Sequence, residues 1–310
     1  MIQLTMMNAL FRILIAAALA PFLAMIIVKI KAWFCGRRGP GMLQNYATLW
    51  KLLHKTSVYS SSTTFIFRLS PLLGLAGVLI ALSLLPLAGR PPLFSFSGDV
   101  ILLFYLLGLG RFFIISAALD TASPFEGMGA AREALFGTLA EATVFVVLIL
   151  FERVHGGFSL ASYLAVGSGM GIWGNSGAAM VLTAIALFIV LLTENARIPV
   201  DDPTTHLELT MIHEVMVLDH SGPDLGLIEM SSWLKLFFFS SFIADLVCPF
   251  TGTYLDFIIF GVVVLLLYLL VGIIESITAR FRMNLVPKFI LTSFALACFA
   301  LILNLEITLL

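Results

Sequence analysis

The strongest constraint on this chain is a set of long stretches that have no polar side. Val262–Ile274 reads VVVLLLYLLVGII, apolar on every face that a helix or a strand presents. A backbone that crosses lipid must satisfy its own N–H and C=O groups, and only helices and closed β-barrels do so. Barrel strands alternate in polarity over short segments, and these runs do not. About 20 mostly apolar residues suffice for a helix to span the hydrocarbon. Such stretches cover Leu10–Ile30, Pro71–Leu87, Val100–Leu119, Leu135–Phe151, Ala178–Thr193, Leu234–Phe250, Tyr254–Ile274 and Phe289–Leu310. The expectation is all-α: a polytopic membrane helical bundle of about eight transmembrane helices with amphipathic helices on one side. Residues 1–310 form a single integral membrane domain, and the first span is read as a retained anchor.

Charged residues make up 11% of the chain, against roughly 25% in a soluble domain. That deficit excludes a disordered chain, a disulfide scaffold and an ordinary cytosolic enzyme. The 17 basic and 18 acidic residues nearly cancel, which leaves no whole-chain reason for nucleic acid binding. Cys35, Cys248 and Cys298 are scattered and no CxxC occurs. No thiolate cage for zinc or an iron–sulfur cluster is therefore expected, and any redox centre belongs to a partner. The chain itself is expected to carry no cofactor.

Orientation follows from lysine and arginine. The odd-numbered connections hold thirteen: Lys29, Lys31, Arg37, Arg38, Lys51, Lys55, Arg68, Arg132, Arg197, Lys235, Arg280, Arg282 and Lys288. The even-numbered connections and the N-terminal end hold only Arg12, Arg90 and Arg153. Both termini are placed outside and the odd connections in the cytoplasm. Two of these are long, 31–70 and 194–233. The first contains Leu43–His54, whose Leu43, Ala47, Trp50 and Leu53 keep helical spacing, as an interfacial helix would. The second is longer than a passive connector needs.

That second loop carries ENARIPVDDPTTHLELTMIHEVMVLDHSG over Glu194–Gly222. Asp202-Pro203 fits a helix N-cap followed by proline, and Thr205 with Glu208 offers a capping box one turn later. Leu207, Met211, Val215 and Leu218 then keep helical spacing, which predicts an amphipathic helix ending at Ser221-Gly222-Pro223. His206, His213 and His220 recur every seven residues on one face of it. That spacing separates neighbouring imidazoles by about 10 Å. It suits hydrogen bonding or partner contact better than a metal site.

Ionisable residues inside spans are costly and point to function. Arg111 lies near mid-membrane and Glu141 about two turns into the fourth span. Glu194 closes the fifth span, three residues before Arg197, a spacing that permits a local ion pair. Glu141, Glu194, Asp201, Asp202 and Glu208 together make a carboxylate cluster at the inner third of the membrane. Crowding and burial raise the proton affinity of such groups, which suits a proton relay; an acidic loop binding a basic partner is the competing reading. Asp256 and Glu306 are read as snorkelling at the interface, and Asp245 is left open.

Two segments resemble one family, the membrane subunit beside the quinone chamber of respiratory complex I and its homologues in energy-converting [NiFe] hydrogenases. The first is GPGMLQNYATLWKLLHK (Gly39–Lys55). The second is Glu194-Asn195-Ala196-Arg197 followed by Pro199 and Asp201, with Arg132 and Glu141 keeping the family's spacing. Where complex I continues into a glutamate-rich run, this chain has Asp202-Pro203-Thr204-Thr205-His206-Leu207-Glu208, and Thr56 follows Lys55. DDPTTHLELTMIHEVMVLDHSG is similar to the hydrogenase branch, the formate hydrogenlyase membrane subunit in particular.

The resemblance implies a subunit of the prokaryotic cytoplasmic membrane that anchors soluble hydrogenase large and small subunits. Those partners would hold the [NiFe] centre and iron–sulfur clusters, and an antiporter-like membrane subunit and membrane lipid would be the lateral neighbours. Glu141, Glu194, Asp201 and Glu208 are then the expected relay, and Arg111, Arg132 and Arg197 its charge tuning. Trp50, Lys51 and Lys55 on the first loop are expected to dock the partner. On the second, the expected docking residues are Asp202, His206, Met211, His213, Val215 and Asp219. Two other readings stay open: a quinone-site subunit of a complex I-type oxidoreductase, and a stand-alone ion transporter. No inverted repeat of the transporter kind is visible in the chain.

Overall fold

A computed structural model describes residues 2–164, 172–173, 176–202, 211–248, 250 and 253–309. The described residues form helices and turns with no β-strand. Among the described residues eight helices are long and apolar enough to cross a membrane. They are α1 (Ile2–Phe34), α3 (Phe65–Leu84), α4 (Asp99–Asp120), α5 (Pro124–His155), α7 (Gly177–Glu194), α9 (Gly222–Val247), α10 (Leu255–Ile277) and α11 (Val286–Leu309). Three shorter ones also occur among the described residues: α2 (Gln44–Leu53), α6 (Leu160–Tyr163) and α8 (His213–Met216). The polytopic helical bundle expected from the apolar runs is therefore the fold.

Helix ends follow local chemistry. Thr64 caps α3 by accepting a hydrogen bond from the Ile66 N–H, and the Asp120 carboxylate at the end of α4 accepts from the Thr64 N–H at 2.6 Å. Pro124 opens α5, and Gly156 closes it in the left-handed conformation that needs no Cβ. α5 has 32 residues, about 48 Å at 1.5 Å per residue, so it outruns the roughly 30 Å hydrocarbon layer.

α9 is the axis of the bundle: 72% of its most apolar window is buried, against 22% for α10. α1, α2, α3, α7 and α10 all pack on it, while α11 lies against α5 and α7. Phe238, Phe239 and Phe242 fill the centre. α9 begins twelve residues before the expected start of its span, so much of the 194–233 loop is helix and Lys235 lies inside the bundle. α2 forms within the expected Leu43–His54 stretch and has no buried residue. It is tied to the middle of α1, where Asn45 Nδ2 donates to the Pro21 carbonyl at 2.8 Å and the Tyr46 hydroxyl donates to the Ala18 carbonyl.

The amphipathic helix expected beyond Asp202 is not found in the described part of that segment. Residues 203–210, and with them His206, Glu208 and both capping proposals, lie outside the described residues. Between 211 and 221 the only helix is the single turn α8. Met211 and Val215 are 2% and 0% exposed, because the segment folds down onto α5. A Cβ on Gly129 would collide with Val215 Cγ1 and lie 2.9 Å from the Ile212 carbonyl.

Gly222 is the sharpest backbone requirement in this region. Its φ is +57°, and a Cβ there would sit 2.8 Å from the Thr56 carbonyl oxygen. Gly222→Ala should cost about 2 kcal/mol through left-handed strain and collision with backbone. A lowered thermal-unfolding midpoint in detergent, with faster proteolysis around Thr56, is the expected result; an unchanged midpoint would show that the turn relaxes freely.

Candidate functional site

Glu133, Gly137 and Glu141 recur every four residues and so lie on one stripe of α5. The missing side chain at Gly137 leaves a slot. Arg111 of α4 lays its guanidinium through it; a Cβ on Gly137 would collide with that group and lie 2.7 Å from its Cζ. There Arg111 meets three carboxylates. Its Nη2 donates to Glu194 Oε1 at 2.6 Å, Nη1 lies 3.2 Å from Glu141 Oε1, and Nε lies 4.0 Å from Glu133 Oε1. The other oxygen of Glu194 pairs with Lys235 Nζ of α9 at 2.8 Å. Two cations thus face three carboxylates from four helices, and the cluster balances its charge when one carboxyl holds a proton.

The cluster separates two cavities. One, of about 50 Å³, lies toward the long loop and is lined by Glu133, Glu194, Asn195, His213 and Lys235 beside Arg111. The other, of about 290 Å³, opens sideways between α4 and α5 and is walled by Tyr105, Phe112 and Phe145. Glu141 faces the second cavity with its side chain 45% exposed. Glu194, at 5%, is enclosed.

A second polar group adjoins the first. Glu275 of α10 pairs with Lys31 of α1 at 3.2 Å and with Arg197 at 3.5 Å. The local Glu194–Arg197 pair expected from their spacing is not formed; each has a partner on another helix. Asp201 is buried and bonded to Arg280 Nη2 at 2.8 Å, and it accepts from the N–H groups of Asp202, Ile212 and His213. It therefore staples the loop. Burial still outweighs these partners and raises its proton affinity. Arg132 donates to the Met211 carbonyl at 2.9 Å, which places it on the loop.

His213 lines the smaller cavity. Burial, then Lys235 and Arg197, pushes it down to about 4, so it is neutral at pH 7. His220 is stacked on Phe67 at 3.9 Å and is also pushed down to about 4 by burial. His213 and His220 therefore do not share a helix face, and His206 lies outside the described residues. Trp50, Lys51, Lys55 and Asp219 are exposed, whereas the buried Met211 and Val215 offer no docking surface. Asp256 is 1% exposed, which excludes snorkelling, and Asp245 is 4% exposed. Among the described residues no group of three or more His, Cys, Asp or Glu could hold a metal ion.

Sequence reading had passed over Glu133, Lys235, Glu275 and Lys31 as members of the site. The glutamate–glycine–glutamate stripe on α5 was the available signal for Glu133. Lys235 and Glu275 were hidden by placing span ends beside them.

Glu214 gives a pH test. Burial, with Glu229 and Asp201 nearby, raises it to about 7. The folded state then binds more protons than the unfolded one, so stability falls as pH rises from about 4.5 to 7. His213 and His220, lowered from 6.5 to about 4, act oppositely, and their titration in the unfolded state still offsets Glu214 for about one pH unit above 6.5. The Glu214 part is therefore read as a difference: as pH rises from about 6 to about 8, the thermal-unfolding midpoint of Glu214→Gln should rise more, or fall less, than that of the native chain. An unchanged slope would remove Glu214 from this role.

Gly137→Ala gives a second. Displacing Arg111 orphans buried carboxylates, a loss of about 3–5 kcal/mol. The effects of Gly137→Ala and Arg111→Met should be far from additive. Additive midpoints would mean that the glycine serves something other than the arginine.

Comparison with known proteins shows the family of the chain. A family described as NADH dehydrogenase matches residues 6–305. Hydrogenase-4 component C of Escherichia coli K12 is 31% identical over 303 residues, covering 94% of this chain and 93% of that protein. Formate hydrogenlyase subunit 4 of the same organism is 28% identical over 308 residues, covering 96% and 98%. NADH-ubiquinone oxidoreductase chain 1 of Arabidopsis thaliana is 27% identical over 241 residues, covering 74% and 73%. In fold, the chain resembles one from an archaeal membrane-bound sulfane sulfur reductase, a respiratory membrane complex. The TM-score is 0.81 at 22% identity, covering 96% and 99% of the two chains. With its eight apolar helices and a family match running nearly end to end, the chain belongs to the NADH dehydrogenase family of membrane subunits.

Proposed function

We propose that this chain is the anchoring and proton-coupling membrane subunit of a membrane-bound [NiFe] hydrogenase of the hydrogenase-4 or formate hydrogenlyase kind. The coarser statement, a membrane subunit of a multi-subunit energy-converting complex, follows from the family. The finer one is favoured over a quinone-site subunit because the two hydrogenase relatives align along almost the whole chain, whereas NADH-ubiquinone oxidoreductase chain 1 of Arabidopsis thaliana and of Triticum aestivum align over 74% and 84% of it. In this reading electrons never enter the chain. A partner large subunit carries the [NiFe] centre and a partner small subunit the iron–sulfur clusters.

The observation that carries the coupling role is the Arg111 cluster. A guanidinium bound to three carboxylates between two cavities holds one proton more easily than it holds full ionisation. Protons enter from the loop side past neutral His213, are held at Glu133, and pass by way of the doubly paired Glu194 to Glu141. From there the side-opening cavity leads to a neighbouring membrane subunit of the antiporter-like kind. A half-exposed carboxylate on a lateral face cannot be left against hydrocarbon, which supports a polar neighbour covering this mouth. Lys31, Arg197 and Glu275 form the charged link between α1, α10 and the loop. A redox partner resting on Trp50, Lys51, Lys55 and Asp219 would bias that link. The lysine and arginine count supports cytoplasmic long loops with both termini outside.

Glu141→Gln and Glu194→Gln test the relay. Each keeps shape and removes the exchangeable carboxyl. The complex should assemble, with the large subunit co-purifying in wild-type amount, and should turn over normally with an artificial electron donor. Membrane-linked hydrogen production should fall roughly a hundredfold, the usual weight of a positioned proton-transfer group. Full linked activity and ion movement in both variants would make the carboxylates structural.

A further inference from the structure

The mouth between α4 and α5 lies far from either end of the bundle. Arg111 is the thirteenth of the 22 residues of α4. At 1.5 Å per residue its cluster therefore sits near the middle of a hydrocarbon layer about 30 Å thick. Glu141 faces the cavity there with its side chain 45% exposed. The approach to it is open because residue 108 of α4 is glycine: a Cβ at that position would already lie 3.4 Å from Glu141 Oε1. Tyr105 and Phe112 of α4 and Phe145 of α5 stand around the opening, all three exposed.

The surface around the mouth and the charge inside it together define an occupant. Ile101, Tyr105, Leu109 and Phe112 recur at helical spacing and form one exposed stripe along α4. A stripe of that length suits a second helix lying alongside. Among the described residues the cluster behind the mouth sets two cations, Arg111 and Lys235, against the carboxylates of Glu133, Glu141 and Glu194. The complement to that surplus is a positive charge delivered to Glu141. A lipid headgroup keeps its charge at the bilayer surface and does not reach this depth. A cation in the middle of the layer has to be carried by another spanning segment. The walls suit one: aromatic faces attract a cation, and a long basic side chain lays its apolar stem along apolar surface.

We propose that this mouth receives a lysine or arginine side chain from a transmembrane helix of a neighbouring membrane subunit, with its charge placed on Glu141. The helix packs on the α4 stripe, and the basic group passes beside Gly108 between Tyr105, Phe112 and Phe145. The proposal rests on the reading of this chain as one subunit of a larger membrane complex, and it supplies the chemistry of the lateral neighbour. The docked cation and the relay proton balance the same surplus charge. A neighbour that draws its cation back therefore leaves room for one proton.

The test uses the intact complex in lipid nanodiscs, with benzoylphenylalanine placed in turn at Tyr105 and Phe145, two aromatic positions at the mouth. After irradiation the crosslinked residue is located by mass spectrometry. The expected product is a transmembrane segment of a second membrane subunit, joined within one helical turn, about 5 Å, of a lysine or arginine. Replacing that basic residue by methionine should lower the retention of its subunit through detergent washing at least about tenfold. Exchanging lysine for arginine, or the reverse, should preserve retention. Crosslinks to phospholipid alone, or to a segment with no basic residue within a turn, would overturn the proposal, and so would retention that methionine leaves unchanged. If the methionine replacement prevents assembly, the crosslink position in the otherwise native complex decides the matter. The relay is judged separately, by linked hydrogen production in Glu141→Gln: its failure leaves the crosslink standing, and a missing crosslink leaves that activity test untouched.

Discussion

A guanidinium inside a lipid-facing bundle has to be paid for in opposite charge, and most of this structure follows from where that charge is found. Removing water from an ion costs several kcal/mol even after relaxation, so Arg111 draws carboxylates from α5 and α7 toward one point. Glu194 then needs Lys235, which brings in α9. Helix positions follow. α4 packs on α3 through Gly110 and Gly74, and α5 approaches α4 closely enough for the arginine only because residue 137 has no side chain. A bundle of purely apolar helices can slide and rotate at little cost. This one is fixed in register by a network whose members lose much more than packing when displaced.

In the proposed relay the same network carries the proton chemistry. Full pairing would give a stable but inert salt cluster. Here three acids share two cations, and one acid is open to a cavity. The imbalance is small enough for one proton to correct it, so proton occupancy and electrostatic balance are the same variable. A neighbouring charge that changes, on the loop or on a docked partner, shifts the occupancy without moving the helices.

Much of the architecture was legible in the chain. Lipid forces helices, length sets the number of crossings, and both long connections were visible from their composition. The cluster was legible in part: Arg111, Glu141 and Glu194 stand out because ionisable residues in apolar runs are rare. Their partners do not stand out. Lys235 and Glu275 sit at the edges of apolar runs, where hydropathy alone cannot distinguish a buried charge from a solvated one. The segment after Asp202 misled for a different reason. Its period of apolar residues fits a helix, but Met211, Ile212 and Val215 are apolar because they pack on α5. Asp201 holds the backbone in a non-helical path by accepting its N–H groups. Side-chain periodicity records which residues are buried and says little about the backbone that buries them.

The attachment of α2 to α1 has a mechanical meaning. Proline at position 21 has no N–H, so α1 lacks one rung of its hydrogen-bond ladder at Ala17. Asn45 and Tyr46 grip the carbonyls of Pro21 and Ala18, in that same turn. A load that shifts α2 is therefore delivered to the weakest point of α1 and not to its end. α1 behaves as a lever with its hinge already cut, one arm reaching Lys31 and the other Arg12.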